Sequence, residues 1–150
     1  MAFYLSGKSV SKGKLIGYFL GDGSGKQILA PVDKVIKLAE SGRLQDWQVV
    51  TDSDGEKHLY SDRNSIAELP VYVKNCDEHV KPIRVLQRDG VTEGYGCLTR
   101  SGVQLNYTVD TFWQLVKLGM VDGVTAKRCG NTRVLESKDN YLKELPTLVI

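Results

Sequence analysis

Two histidines and three cysteines are the side chains best suited to nucleophilic or metal chemistry in this chain. Cys76 and His79 lie three positions apart, a spacing that can serve zinc. A structural zinc site needs four ligands, however, and Cys97, Cys129 and His58 show no paired spacing that would complete it. A Cys–His nucleophile could instead be assembled from Cys97 or Cys129 with His58 or His79, because an imidazole beside a thiol raises its thiolate fraction. Neither cysteine sits in a local signature for such a pair, and Cys97, between Gly96 and Leu98, reads as a small buried strand residue. Whether any of Cys76, Cys97 and Cys129 is reactive stays open at this point.

Two further segments invite ligand chemistry. Gly21-Asp22-Gly23-Ser24-Gly25-Lys26 resembles a phosphate-cradling loop, yet GxxxxGK[ST] would require glycine at Leu20 and a hydroxyl at Gln27. A strand, not a helix, follows it, so a hairpin turn explains the glycines. Asp52-Ser53-Asp54-Gly55 resembles half of a calcium loop, but the first and twelfth ligand positions fall on Val50 and Ser61, and a β-turn accounts for all four residues. Neither a cofactor nor a metal is expected.

The elements that position these groups follow from a repeat. At an offset of 77 places, Tyr18 meets Tyr95, Ser24-Gly25 meets Ser101-Gly102, Val32-Asp33 meets Val109-Asp110 and Gly42 meets Gly119. After one deletion near 50–54 the offset becomes 76, and Leu59, Ser61, Asn64 and Glu68-Leu69-Pro70 meet Leu135, Ser137, Asn140 and Glu144-Leu145-Pro146. Val32, Val35, Ile36 and Ala39 recur at i, i+3, i+4 and i+7, and Val109, Phe112, Trp113 and Val116 repeat that stripe, which predicts a helix of about ten residues in each copy. Pro31 suits a first helical turn, the carboxylates of Asp33 and Asp110 suit the positive helix end, and Gly42 and Gly119 suit the left-handed residue after it. Two short strands precede each helix, Leu15 to Leu20 with Gln27 to Leu29 and Tyr95 to Thr99 with Val103 to Tyr107. A hairpin follows each, Trp47 to Thr51 with His58 to Tyr60 and Val124 to Lys127 with Arg133 to Glu136. Each copy then finishes in a Leu-Pro that should stop a ladder.

The expected fold is therefore α+β, two tandem ββαββ-like repeats of antiparallel hairpins with one helix each. The first module covers residues 1–73, a linker 74–82, and the second module 83–150, with Val80 to Arg88 adding a strand. The turn glycines, the Leu59-x-Ser61 and Leu135-x-Ser137 steps and the Leu-Pro tails are similar to those of a small module of Gram-positive bacteria and their phages, a family classed as a domain of unknown function. That resemblance covers most of both repeats and implies a phage, prophage or mobile-element context, where proteins of this size act by binding and blocking a host component. The arginine usual in that family before the serine is replaced by Tyr60 and Glu136, so no arginine contact is carried over.

Bulk properties set the remaining bounds. The 150 residues are 41% apolar and 25% charged, the composition of a globular protein rather than a disordered one. A chain of this length hides roughly 68–70% of its unfolded surface and needs no staple. Twenty basic against 18 acidic residues leave a charge of +2, without the field of a dedicated DNA or membrane binder. An odd cysteine count and the lack of a signal-like apolar run point to a reducing, cytoplasmic setting, with no membrane span.

The leading expectation is a non-enzymatic protein-interaction module with an unidentified protein partner or a second copy of the chain. Its second helix is apolar nearly all round, so Phe112, Trp113, Leu118 and Met120 are the candidate interface, with internal core as the competing role for the same residues. The alternatives are a nucleic-acid-binding accessory protein using Lys8, Lys12, Lys14 and Lys26 beside Tyr4, Tyr18 and Phe19, and a cysteine-dependent enzyme.

Overall fold

A computed structural model describes residues 2–73, 78–130 and 132–150. Cys76 and the rest of 74–77, and Asn131 of the second hairpin turn, lie outside the described residues. The chain is α+β, mostly strand with two helices, and divides into two units, Met1–Val71 and Tyr72–Ile150.

In the first unit, β1 (Tyr4–Ser11), β2 (Lys14–Gly21) and β3 (Gln27–Pro31) form an antiparallel sheet in that order. Thus three strands, not two, precede the helix. The lysine- and serine-rich N-terminal stretch is a strand because its small polar residues are satisfied inside: Ser6 is fully buried and its hydroxyl donates to the Phe19 carbonyl at 3.1 Å. Lys12 and Gly13, both at positive φ, make the two-residue turn into β2, the conformation whose twist matches a hairpin. The outer edge of β1 is held at two points. The Phe3 N–H donates to the Arg43 carbonyl and the Gln45 N–H to the Phe3 carbonyl; further along, the Lys8 N–H donates to the Pro70 carbonyl.

Helix α1 (Val32–Glu40) starts one residue later than the proline position suggested, with Pro31 extended as its cap. It closes through paired bonds, Gly42 N–H to Ala39 and Arg43 N–H to Leu38, with Gly42 left-handed at φ 73. The hairpin of β4 (Gln48–Thr51) and β5 (Lys57–Tyr60) follows, then a 3-10 turn at Ile66–Glu68. Leu5, Tyr18, Leu20, Val35, Leu44 and Trp47 are buried together as the core of this unit.

The second unit runs β6 (Val80–Arg88), β7 (Val91–Thr99), β8 (Gln104–Thr108), α2 (Val109–Lys117), β9 (Val124–Cys129), β10 (Thr132–Ser137), a 3-10 turn at Lys138–Glu144 and β11 (Thr147–Val149). Its four-stranded sheet has the order β11-β6-β7-β8, and β11 lies parallel to β6. The Leu-Pro tail therefore does not end the ladder: Pro146 lacks an N–H, but its carbonyl accepts from Val85 at 2.9 Å and starts the new strand. β6 covers the Val80 to Arg88 strand expected for the second copy, so Val80 to Pro82, the end of the expected 74–82 linker, belong to it. Thr108 caps α2 with its hydroxyl, which Pro31 cannot do for α1. Val80, Cys97, Tyr107, Phe112, Leu115 and Val116 anchor the core.

Candidate functional site

An apolar concavity of the second unit lies where α2 faces the β9–β10 hairpin and the 3-10 turn that follows it. Tyr95, Val109, Trp113, Val134, Leu135, Leu142 and Lys143 line a cleft of about 410 Å³. Each wall is fixed separately. Tyr95 stacks on Phe112 with ring centroids 4.2 Å apart and an interplanar angle of 25°, and burial, then the neighbouring Cys97, pushes its phenol pKa up. The 3-10 turn bearing Leu142 and Lys143 is pinned by Tyr141, whose hydroxyl donates to the Asp122 carbonyl at 3.0 Å. Burial, then Cys97 and Asp122, push that phenol up to about 12. The Leu142 N–H is held by the Ser137 hydroxyl at 3.0 Å.

In the first unit α1 and its hairpin border a cleft of about 510 Å³ lined by Val32, Asp33, Ile36, Lys37, Glu40, Glu56 and Lys57. Charged side chains, Asp33, Lys37, Glu40, Glu56 and Lys57, share its lining with Val32 and Ile36, and the Lys57 ammonium sits 2.8 Å from the Glu40 carboxylate.

The four residues expected at an interface do not share one surface. Phe112 is fully buried in the core and Trp113 is only 4% exposed, so the apolar girth of α2 is absorbed mainly within the fold. Met120 is half-buried against the core, whereas Leu118 is 74% exposed. Trp113 alone among them reaches the cleft. The rest of its lining was not singled out from sequence as a site, and the available signal was the repeat register: Ile36, His58 and Ile66 in the first copy stand where Trp113, Val134 and Leu142 stand in the second.

The lysines are also separated. Lys12 and Lys14 flank one end of β2 and Lys26 lies beyond the other, while Lys8 donates its ammonium to the Ile66 carbonyl at 2.8 Å. Of the rings expected beside them to stack bases, Tyr18 and Phe19 are buried and Tyr4 is half-buried. Both imidazoles face carboxylates, His58 with Asp52 at 2.8 Å and His79 with Asp122 at 3.3 Å; Cys97 is buried in the core, and Cys129 is exposed at the end of β9.

The glycine-rich segment is the β2–β3 turn. The Asp22 carboxylate accepts the Ser24 N–H and hydroxyl, and those bonds hold its pKa below the usual aspartate value. The acidic turn is organised likewise. Asp52 accepts the N–H groups of Asp54 and Glu56, each at 2.9 Å, and with Glu56 and His58 it places three ligand-type atoms within 4.8 Å of one another. The His58 hydrogen bond is the main cause of its lowered pKa.

A carboxylate with a depressed pKa stabilises the folded hairpin above its ordinary titration range, and that contribution is lost as pH falls through the folded pKa. Acidification is therefore expected to weaken the Val49–Leu59 pairing, followed by the nuclear Overhauser contact between those strands. Asp52→Asn should abolish this acid response, and an unchanged response in that variant would refute the role given to the carboxylate.

No described helix is long and apolar enough to cross a membrane. No protein-family model, curated protein or solved structure matches the chain.

Proposed function

We propose that the chain is a pair of tandem ββαββ-like repeats, each extended by a leading strand, that acts without catalysis by holding a protein partner. Equivalent hydrogen bonds support the repeat. Phe3 to Arg43 in the first unit has its counterpart in Val80 to Met120, and Gln45 to Phe3 in Asp122 to Val80, each pair at the offset of 77. Lys8 to Pro70 and Val85 to Pro146 match across the offsets of 77 and 76. These bonds involve backbone, so they do not depend on which side chains drifted between copies.

The observation that carries the binding role is the different chemistry of the two helix–hairpin clefts. The first is lined mainly by charged side chains beside Val32 and Ile36; the second is lined mainly by apolar ones, with Trp113 standing where the first copy has Ile36. Apolar lining at a water-accessible cleft is suited to an anchoring hydrophobic side chain, and aromatic residues in such positions contribute strongly to protein recognition. The exposed Lys143 at the rim favours an acidic neighbour beside that anchor. The similarity to phage and Gram-positive modules points to an accessory protein in a bacterial cytoplasm, with a host component as the partner it blocks.

A photo-crosslinking residue at Val134 tests this in a Gram-positive lysate, with the same group at exposed Val103 as the control. One stoichiometric protein adduct from the first position only is expected, reduced by at least about tenfold, or ~1.4 kcal/mol, when Leu142→Lys puts a charge in the cleft. Equal labelling from both positions, or no adduct at all, would remove the cleft from the binding role.

A further inference from the structure

We infer that the chain associates head to tail with a second copy of itself, the outer edge of β11 in one molecule adding in parallel to the outer edge of β3 in the next. This rests on the repeat proposed above. Within the second unit the outer edge of β8 is occupied: Tyr72 pairs in parallel with Asn106, and the Val73 N–H donates to the Asn106 carbonyl at 2.9 Å. The residue equivalent to Asn106 is Leu29 on β3, and the residues equivalent to Tyr72 and Val73 are Leu148 and Val149 on β11. Both β3 and β11 are the outermost strands of their sheets among the described residues. The chain thus holds one filled junction and one unfilled half of each kind.

Backbone orientation agrees at both edges. A Cβ on Gly17 would lie 2.5 Å from the Ala30 carbonyl, as a Cβ on Gly94 would from that of Tyr107, so these carbonyls face β2 and β7. Strand alternation then turns the N–H and C=O of Leu29 outward, as for Asn106. On β11, the Pro146 carbonyl and the Ile150 N–H both bond to β6, which turns Thr147 and Val149 outward. Pro31 has no N–H, so the new ladder is confined to the neighbourhood of Leu29, just as the filled junction is a single bridge at Asn106. Ile28 at 53% exposure, Leu148 at 44% and Val149 at 78% are apolar groups on otherwise uncovered edge strands, the situation strand addition relieves. The occupant is a second copy because the chain already carries the complement of each edge.

A contact using different surfaces on the two partners does not close at a dimer. Sedimentation of the 150-residue chain over rising concentration is expected to show weight-average mass climbing from 16.7 kDa by roughly twofold or more. Leu29→Pro removes the outward donor of β3 and Val149→Pro that of β11, neither touching a bond to β2 or β6; each variant alone should stay at the mass of one chain. Mixed in equal amounts they should give a one-to-one dimer and nothing larger, because each supplies the edge the other lacks. Ile28→Lys and Val149→Lys repeat the test by charge, should circular dichroism show that a proline disturbs the fold.

Amide exchange separates the two levels of the inference. A protected Val73 amide with mass fixed at one chain throughout overturns the self-association and leaves the repeat standing. A freely exchanging Val73 amide removes the filled junction and with it the association, while the repeat itself is overturned only if the amides of Phe3 and Val80, or of Lys8 and Val85, differ in protection. Association that survives in each single variant overturns the head-to-tail pairing in favour of another contact.

Discussion

Phe112→Ala is expected to lower the stability of the second unit by about 3–5 kcal/mol. Phe112 is fully buried, stacks on Tyr95 and sits among Val80, Cys97 and Tyr107. Alanine forfeits both the transfer of the ring out of water and the dispersion contacts around it, and the sheet on one side and helix backbone on the other cannot close the space. Against a total of about 5–15 kcal/mol for a domain, that loss leaves little margin. Urea unfolding followed by the emission of Trp113, in a Trp47→Phe background, measures it. Leu118→Ala, six residues along the chain but 74% exposed, should change stability by no more than about 0.5 kcal/mol. Equal effects of the two substitutions would mean that the ring of Phe112 is not in the core.

That contrast also shows where sequence patterning was informative. The helix stripes and the glycines after them identify α1 and α2, because a 3.6-residue period and a left-handed closing residue are local properties. Strand β1 escaped because its buried residues beyond Leu5 are Ser6, Gly7 and Ser9, small or polar residues that a period-two apolar pattern cannot register. Its counterpart β6 was easier to see, being richer in bulky apolar residues and followed by Asp89-Gly90, where the first copy has Lys12-Gly13; both pairs adopt positive φ. Proline at the end of each copy misled in the opposite direction. A missing N–H predicts the end of a ladder, but a parallel strand begins from the proline carbonyl.

The candidate site was less legible than the fold because a cleft is set by elements distant in sequence. Spacing within α2 shows that Phe112, Trp113, Leu115 and Val116 are apolar together, and all four are buried. Nothing in that spacing tells which of them touches Val134 or Leu142. Likewise proximity in sequence does not gather the N-terminal lysines; the antiparallel course of β1 and β2 keeps Lys12 and Lys14 at one end and leaves Lys26 beyond the other.

Arg88→Ala should cost about 3–5 kcal/mol, rivalling the core substitution although it removes a side chain that is itself partly exposed. The guanidinium Nε donates to the Glu93 carboxylate at 3.1 Å, and the two side chains differ sharply in exposure, 24% for Arg88 and 1% for Glu93. Losing the cation therefore takes compensation away from a carboxylate held out of water, whereas losing the carboxylate returns a cation that already has access to solvent. The expected order is Arg88→Ala more destabilising than Glu93→Gln. The double substitution Arg88→Met with Glu93→Leu should recover most of the loss, since a well-packed apolar pair removes both desolvation penalties. The surface pair Lys57–Glu40 gives the scale for comparison: with exposures of 49% and 40%, Lys57→Ala should change stability by no more than about 1 kcal/mol. Denaturant midpoints for the four variants decide the matter. If Arg88→Ala is as mild as Lys57→Ala, burial of Glu93 is not what gives the pair its strength; if the double substitution is as damaging as the single one, lost packing rather than uncompensated charge governs the site.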